Sequence, residues 1–240
     1  MIFVPRGTTT HAGGGSWHFL DTGDGMPEWN MALDEALMEF ASRTGLPVLR
    51  LYGWRTPAAT FGYSQRYAEV QQLTALRPLI RRTTGGGLVP HDHDWTYSLV
   101  FPPSHPWYRI HARESYHAVH DWLRGALART GLPTELASCC QPQRPGQCFI
   151  GAEEFDVLWA GAKIAGAAQR RSGAGLLIQG SVQSGTLPIL RSQWEEAMRQ
   201  VASDALGVQW RPLEPGHTLL LRAGELQQAK YSQVAYNCRR

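Results

Sequence analysis

LIRRTTGGGLVPHDHDWTYSLVF, residues 79–101, is the stretch on which the rest of the chain turns. Two β-like runs, 79–83 and 95–101, flank three consecutive glycines, the apolar pair Leu88 and Val89, and a polar HDHD segment. The pattern predicts a tight, cationic, glycine-lined turn inside a sheet. Without a Cβ, Gly85, Gly86 and Gly87 can take positive φ and let another molecule approach the main chain, so that consecutive N–H groups point at one anion or carbonyl oxygen. Arg81 and Arg82 precede them, and successive strand residues face opposite ways, so that one guanidinium can face the site while the other faces away. The same residue types also fit a plain hairpin turn with an arginine-bearing edge. The string is neither G-x-G-x-x-G nor the P-loop pattern, and it lacks the Lys-Ser/Thr ending of the latter. Glycine count alone therefore does not make it a nucleotide motif.

RRTTGGGLVPHD followed by WTYSLVFP closely resembles the RR-x-(S/T)-GGG-x-V-x-HD element of the lipoate ligase and octanoyltransferase superfamily, whose catalytic domain is shared with biotin protein ligases. The resemblance implies an α+β fold of mixed, mainly antiparallel sheets packed with helices, like a class II synthetase. It also implies that the glycine loop and the strand after it wall an acyl or acyl-adenylate pocket, with Arg82, Thr84, Gly85, Gly86, Gly87 and His91 at the substrate.

The nine Trp and eight Tyr fit an enzyme with an apolar cavity and an ordinary aromatic core equally well. At 240 residues, 43% hydrophobic and 18% charged, the chain is a folded globule with wide buried surfaces, less charged than the roughly 25% of an average domain. A net charge of +3 without a long Lys/Arg run argues against nucleic-acid binding and suits an acidic protein partner. The start, MIFVPRG, is too short in apolar residues for a signal-peptide core. No run approaches the roughly 18 apolar residues of a membrane span. Four cysteines, including the vicinal Cys139 and Cys140, do not look like a disulfide framework, so a cytoplasmic protein with reduced thiols is expected.

Residues 1–15 are Thr/Gly-rich and read as a loose tail, with one catalytic domain over 16–240. WHFL from Trp17 predicts a first strand. Pro27 opens a helix to about Ser42, on which Trp29, Leu33, Leu37 and Phe40 recur at helical spacing and Asp34 and Glu35 read as the solvated face. PVLRLYGW and AATFGYS predict two short strands, and Ser64 can cap a helix carrying Tyr67, Val70 and Leu73. Gly62, Tyr63, Ser64 and Gln65 resemble the superfamily's G-x-x-Q segment, which lies beside the pocket. Residues 112–129 predict an amphipathic helix with Tyr116, Val119, Leu123 and Leu127 on one face and solvated His117 and His120. His91 and His93 alternate, but no third ligand appears at a recognised spacing, so no metal site is expected.

GAKIAGAAQRR and GLLIQGSV, joined through Ser172, Gly173, Ala174 and Gly175, predict a hairpin. By period two, Lys163, Ala165 and Ala167 share one face, with Gly166 opposite. Small side chains there leave room for an extended apolar guest, or equally let a helix pack closely. The order CF, a carboxylate, G-x-K-I-A-G-A-A-Q-x-R and L-x-x-GS resembles the matching block of the cysteine-dependent octanoyltransferases. That resemblance implies a catalytic pair in which Cys148 carries the acyl group and Lys163 contacts the acyl carbonyl or a phosphate, with Gly166 and Ala167 at the substrate. Gln179 departs from it, standing where many members have histidine. After Val182 the chain reads as a helix near 193–206, a short strand near 218–221 and a polar tail, without the accessory C-terminal domain of many adenylating ligases.

The expected activity is transfer of an octanoyl or lipoyl group from acyl carrier protein to a lysine of a lipoyl-domain protein, glycine cleavage H protein or a 2-oxoacid dehydrogenase E2, through a thioester on Cys148. That route needs no cofactor. An ATP-dependent lipoate-protein ligase, using ATP and magnesium, and a non-catalytic acyl- or carrier-binding homologue are the alternatives.

Overall fold

The computed structural model describes residues 15–139, 151–185 and 187–239. Strand β1 (Gly15–Gly25) leads into α1 (Pro27–Thr44). Pro27 sits in the first turn, where its missing N–H has no intrahelical partner to lose. Gly45, at φ 72°, ends the helix in the left-handed conformation with its N–H on the Ala41 carbonyl. β2 (Val48–Trp54), β3 (Ala58–Phe61), α2 (Tyr67–Leu73), β4 (Leu79–Arg81), β5 (Val89–His91) and β6 (Asp94–Phe101) follow. Then come α3 (Pro106–Arg109), α4 (Ala112–Arg129), β7 (Glu135–Leu136), β8 (Val157–Trp159), β9 (Ala162–Ser172) and β10 (Gly175–Gln183). The chain closes with α5 (Arg191–Leu206), β11 (Val208–Pro212), α6 (His217–Leu226), a π-helical turn (Gln227–Tyr231) and α7 (Val234–Asn237).

The described strands form an eight-stranded sheet, ordered β11-β1-β2-β6-β10-β9-β8-β7, and a three-stranded sheet, β4-β3-β5. Only β1 with its two neighbours and β3 with β4 run parallel, so the sheets are mixed and mainly antiparallel, as expected. Alternation along the central strands buries both faces of the large sheet. Leu49, Leu51, Tyr97, Leu99, Leu176 and Ile178 pack on one side with Trp122 of α4 and Trp194 of α5. Val48, Tyr52, Val100 and Leu177 pack on the other with Leu33 and Leu37 of α1 and Leu219 of α6. The small sheet has its own apolar cluster, in which Phe61 and Leu79 meet Val70 of α2.

Several expectations change. The runs flanking the glycines are not two arms of one hairpin: β4 belongs to the small sheet and β6 to the large one, so residues 82–93 cross between them. The strand expected near 218–221 is part of α6, because Leu219, Ala223 and Leu226 recur at helical spacing toward α1. Ser64 caps nothing; α2 begins at Tyr67 behind Arg66 and has no side-chain cap. Asp34 is fully buried, and Glu35 pairs with Lys230 at 2.6 Å, so neither is merely solvated. His120 is fully buried, while His117 stacks on Phe155 with ring centroids 4.1 Å apart. The alternation expected along β9 is broken by a register shift against β8: Val157 faces Ala165 but Leu158 faces Lys163. Ala165 consequently packs in the core. Among the described residues no helix is long and apolar enough to cross a membrane.

Candidate active site

The site begins where β4 ends. Arg81 and Arg82 diverge, as strand alternation predicts. Arg81 turns away from the cavity and donates to the main-chain carbonyls of Tyr63 (2.8 Å), Gln65 (2.7 Å) and Asn237 (3.0 Å), tying α7 to the small sheet. Arg82 folds over the glycine loop, reaching the carbonyls of Gly85 (2.5 Å) and Gly87 (2.8 Å) and the Thr84 hydroxyl (3.1 Å). Gly86 turns between them at φ 81°. Gly62, just past β3, lies so close that a Cβ there would stand 1.9 Å from the Gly86 carbonyl oxygen. The loop is therefore shaped by Arg82 from one side and by a glycine contact from the other.

A narrow cavity of about 50 Å³ lies between the two sheets. Met31, Tyr52, Trp54 and Val89 give it apolar walls, and Gly166, Ala167 and Ala168 of β9 leave it open along one strand. Arg82, His91 and Lys163 also line it. The sequence-predicted Arg82, His91, Lys163, Gly166 and Ala167 are thus brought to one cavity. Thr84 stands behind Gln179, and Gly85, Gly86 and Gly87 form the loop held by Arg82 rather than the cavity lining. Cys148 lies outside the described residues, as do residues 1–14 of the tail expected over 1–15, whose last residue, Gly15, begins β1.

Three buried polar groups hold this cavity, and sequence reasoning missed most of their members. Behind it, the Asp34 carboxylate accepts from Arg50 (2.7 Å), Ser98 (2.7 Å), Tyr52 (3.0 Å) and Gln179 (2.7 Å). Gln179 in turn accepts from the Thr84 hydroxyl at 2.8 Å, so one side-chain amide links α1 to the glycine loop. Burial and the Asp34 charge push the Tyr52 hydroxyl well above its usual range, which keeps it a donor. The available signal was helical spacing: Asp34 follows Asn30 by four residues and precedes Leu37 by three, on the buried face of α1.

At one wall, the Lys163 ammonium lies 2.6 Å from Asp156, with side-chain exposures of 6% and 0%. Asp156 also accepts from the Glu153 main-chain N–H (2.6 Å) and the Tyr116 hydroxyl (2.5 Å). Burial and that carboxylate raise Tyr116 well above its usual range. His120 packs edge-on to Tyr116, and burial lowers it to about 4, so it is neutral. Small groups crowd the ammonium: a Cβ on Gly166 would stand 3.1 Å from Nζ.

At the third position His91 stacks on Trp54 with centroids 3.7 Å apart. Its Nδ1 is 2.8 Å from Asp94 and its Nε2 is 2.8 Å from the Thr60 hydroxyl. His93 is exposed. Among the described residues, no group of three His, Cys, Asp or Glu is placed to hold a metal ion.

The octanoyltransferase LipM of Staphylococcus aureus is 34% identical to this chain over 180 residues, covering 70% of this chain and 65% of that protein. The chain thus spans about 65% of the length of this curated relative. Among solved structures, lipoate-protein ligase A bound with ATP aligns with a TM-score of 0.75 at 19% identity, over 93% of this chain and 99% of that one. A bi-partite lipoate protein ligase from Thermoplasma acidophilum, solved with its E2 lipoyl domain, aligns with a TM-score of 0.73 at 19% identity, over 93% and 96%. These two matches show the fold. Residues 26–192 match the family model of the lipoyl protein ligase A/B catalytic domain, a span that takes in α1, the glycine loop, the cavity and Lys163, and the chain belongs to that family.

Proposed function

We propose that this protein transfers an octanoyl or lipoyl group from the thioester of an acyl carrier protein to a lysine amine of a lipoyl-domain protein, by way of a thioester on Cys148. The observation that carries the reading is the Lys163 ammonium, fixed by a buried carboxylate on the wall of a largely apolar cavity. The similarity to LipM octanoyltransferases supports transfer rather than ligation. The apolar walls take the acyl chain, and its carbonyl lies toward Lys163. The Cys148 thiolate attacks the donor thioester, the tetrahedral oxyanion takes a hydrogen bond from the ammonium, and the carrier thiol leaves. Attack by the acceptor amine then yields the amide and restores the cysteine. Thioester exchange is nearly neutral and amide formation runs downhill, so this route uses no ATP.

Acylation of a purified lipoyl domain, followed by mass, tests the reading. Octanoyl-acyl carrier protein should modify the domain without ATP, and Lys163→Met should abolish the modification. Modification that appears only with free octanoate, ATP and magnesium would make the protein a ligase. No modification under either condition would leave it an acyl- or carrier-binding homologue.

A further inference from the structure

We infer that Thr60, His91 and Asp94 form a proton relay that deprotonates the incoming lysine ammonium, which enters through an acidic outer cavity. The inference rests on the acyl-transfer reading above. The aminolysis half of that reaction needs a base, because an acceptor lysine with an ordinary pKa near 10.4 is almost wholly ammonium at neutral pH and has no lone pair to attack with. Lys163 already stands against Asp156.

The geometry of the three residues supplies such a base. A carboxylate can only accept, so the Nδ1 of His91 donates to Asp94, and with no proton on Nε2 the ring accepts there from the Thr60 hydroxyl. Thr60 and His91 both line the acyl cavity. Asp94 Oδ2 also accepts from Thr96 and Ser181, but its Oδ1 is buried with no hydrogen-bond partner among the described residues. Its side chain is 1% exposed. A positive charge on the ring would stand beside that carboxylate and over the face of Trp54, and both attract it. Arg82, 3.4 Å from the Thr60 hydroxyl, opposes it, as does Lys163 on the same cavity.

A second cavity, of about 200 Å³, shares Trp54 and His91 with the first and is lined by Asp24, Asp92, His93 and Asp94. Arg191 also lines it and is engaged with Asp24 and Glu195. The carboxylates draw a lysine side chain inward, and the shared histidine stands where the two spaces meet. The step balances as follows. The ammonium gives one proton through the Thr60 hydroxyl to His91 Nε2. The amine attacks the acyl carbonyl, the C–S bond breaks, and the second amine proton goes to the departing thiolate. His91 returns its proton to solvent through the outer cavity.

The test compares two acceptors on the same octanoyl-enzyme: a lipoyl domain, and hydroxylamine, which is unprotonated at neutral pH and needs no base. His91→Gln and Thr60→Val should each slow transfer to the lipoyl domain by about 10²-fold or more while hydroxylamine is acylated at a rate far closer to wild type. Equal slowing toward both acceptors, no slowing toward either, or variants that fail to load would overturn the relay. Wild-type protein that never forms an octanoyl-enzyme would remove the covalent reading itself, and the relay with it.

Discussion

Asp34 and Gln179 carry most of what single residues do here. Four donors meet the Asp34 carboxylate without solvent, one of them the fully buried Arg50. Asp34→Ala leaves that guanidinium unpaired and should cost about 3–5 kcal/mol in chemical denaturation. Gln179 both donates to Asp34 and accepts from Thr84. A neutral histidine offers one donor and one acceptor in turn, so Gln179→His should keep the link and the activity. Gln179→Leu breaks both bonds and should lose about 1–3 kcal/mol, with KM rising as the glycine loop loosens. A Gln179→His variant that behaves like Gln179→Leu would show that the amide is not a simple brace.

Among elements, the glycine loop shows what a sequence discloses and what it withholds. Its cationic, glycine-rich character and the divergence of Arg81 and Arg82 were legible from residue type and alternation. The use of Arg82 to hold the carbonyls of Gly85 and Gly87 was not, because it depends on how residues 82–93 cross between two sheets. Period two placed Lys163 in a strand but could not foresee the register shift that separates it from Ala165. Asp156, its partner, was visible only as one carboxylate among several in the segment before β8. Close backbone approach gives the sharpest test at this scale. Gly62→Ala sets a Cβ against the Gly86 carbonyl, which has no side chain to move aside, and Gly180→Ala sets one 2.1 Å from the buried Tyr97 ring. Each should lower stability by about 1–3 kcal/mol and raise KM for the acyl donor. Unchanged values for Gly62→Ala would mean that the loop is not seated as described.

For the whole molecule, the order of helices and strands up to β10 was largely readable, because the apolar periods of α1, α4, β9 and β10 are long and Gly45 stops α1. Beyond it the helix expected near 193–206 is α5, but β11 was not read: it is five residues long and pairs with β1, whose partner no local pattern names. Burial of a titratable group also acts at this scale. His120 is neutral in the folded protein, lowered to about 4 by burial, against an ordinary 6.5 when unfolded. Between those values the unfolded chain binds the extra proton, so stability rises with pH across the window and falls as pH drops through it, by about 1.4 kcal/mol per unit. His105, also lowered to about 4 by burial, adds to the same slope. Denaturation midpoints should fall between pH 6.5 and 4.5, and His120→Phe should flatten that fall; an equally steep dependence in the variant would contradict the assignment.

Covalent acyl transfer through Cys148 is the central claim, and intact-protein mass after mixing the enzyme with octanoyl-acyl carrier protein, without ATP, tests it most directly. The account predicts an octanoyl adduct on the wild-type chain, sensitive to hydroxylamine and missing from Cys148→Ser. An unmodified wild-type chain that nevertheless acylates a lipoyl domain once ATP and free octanoate are supplied would contradict it.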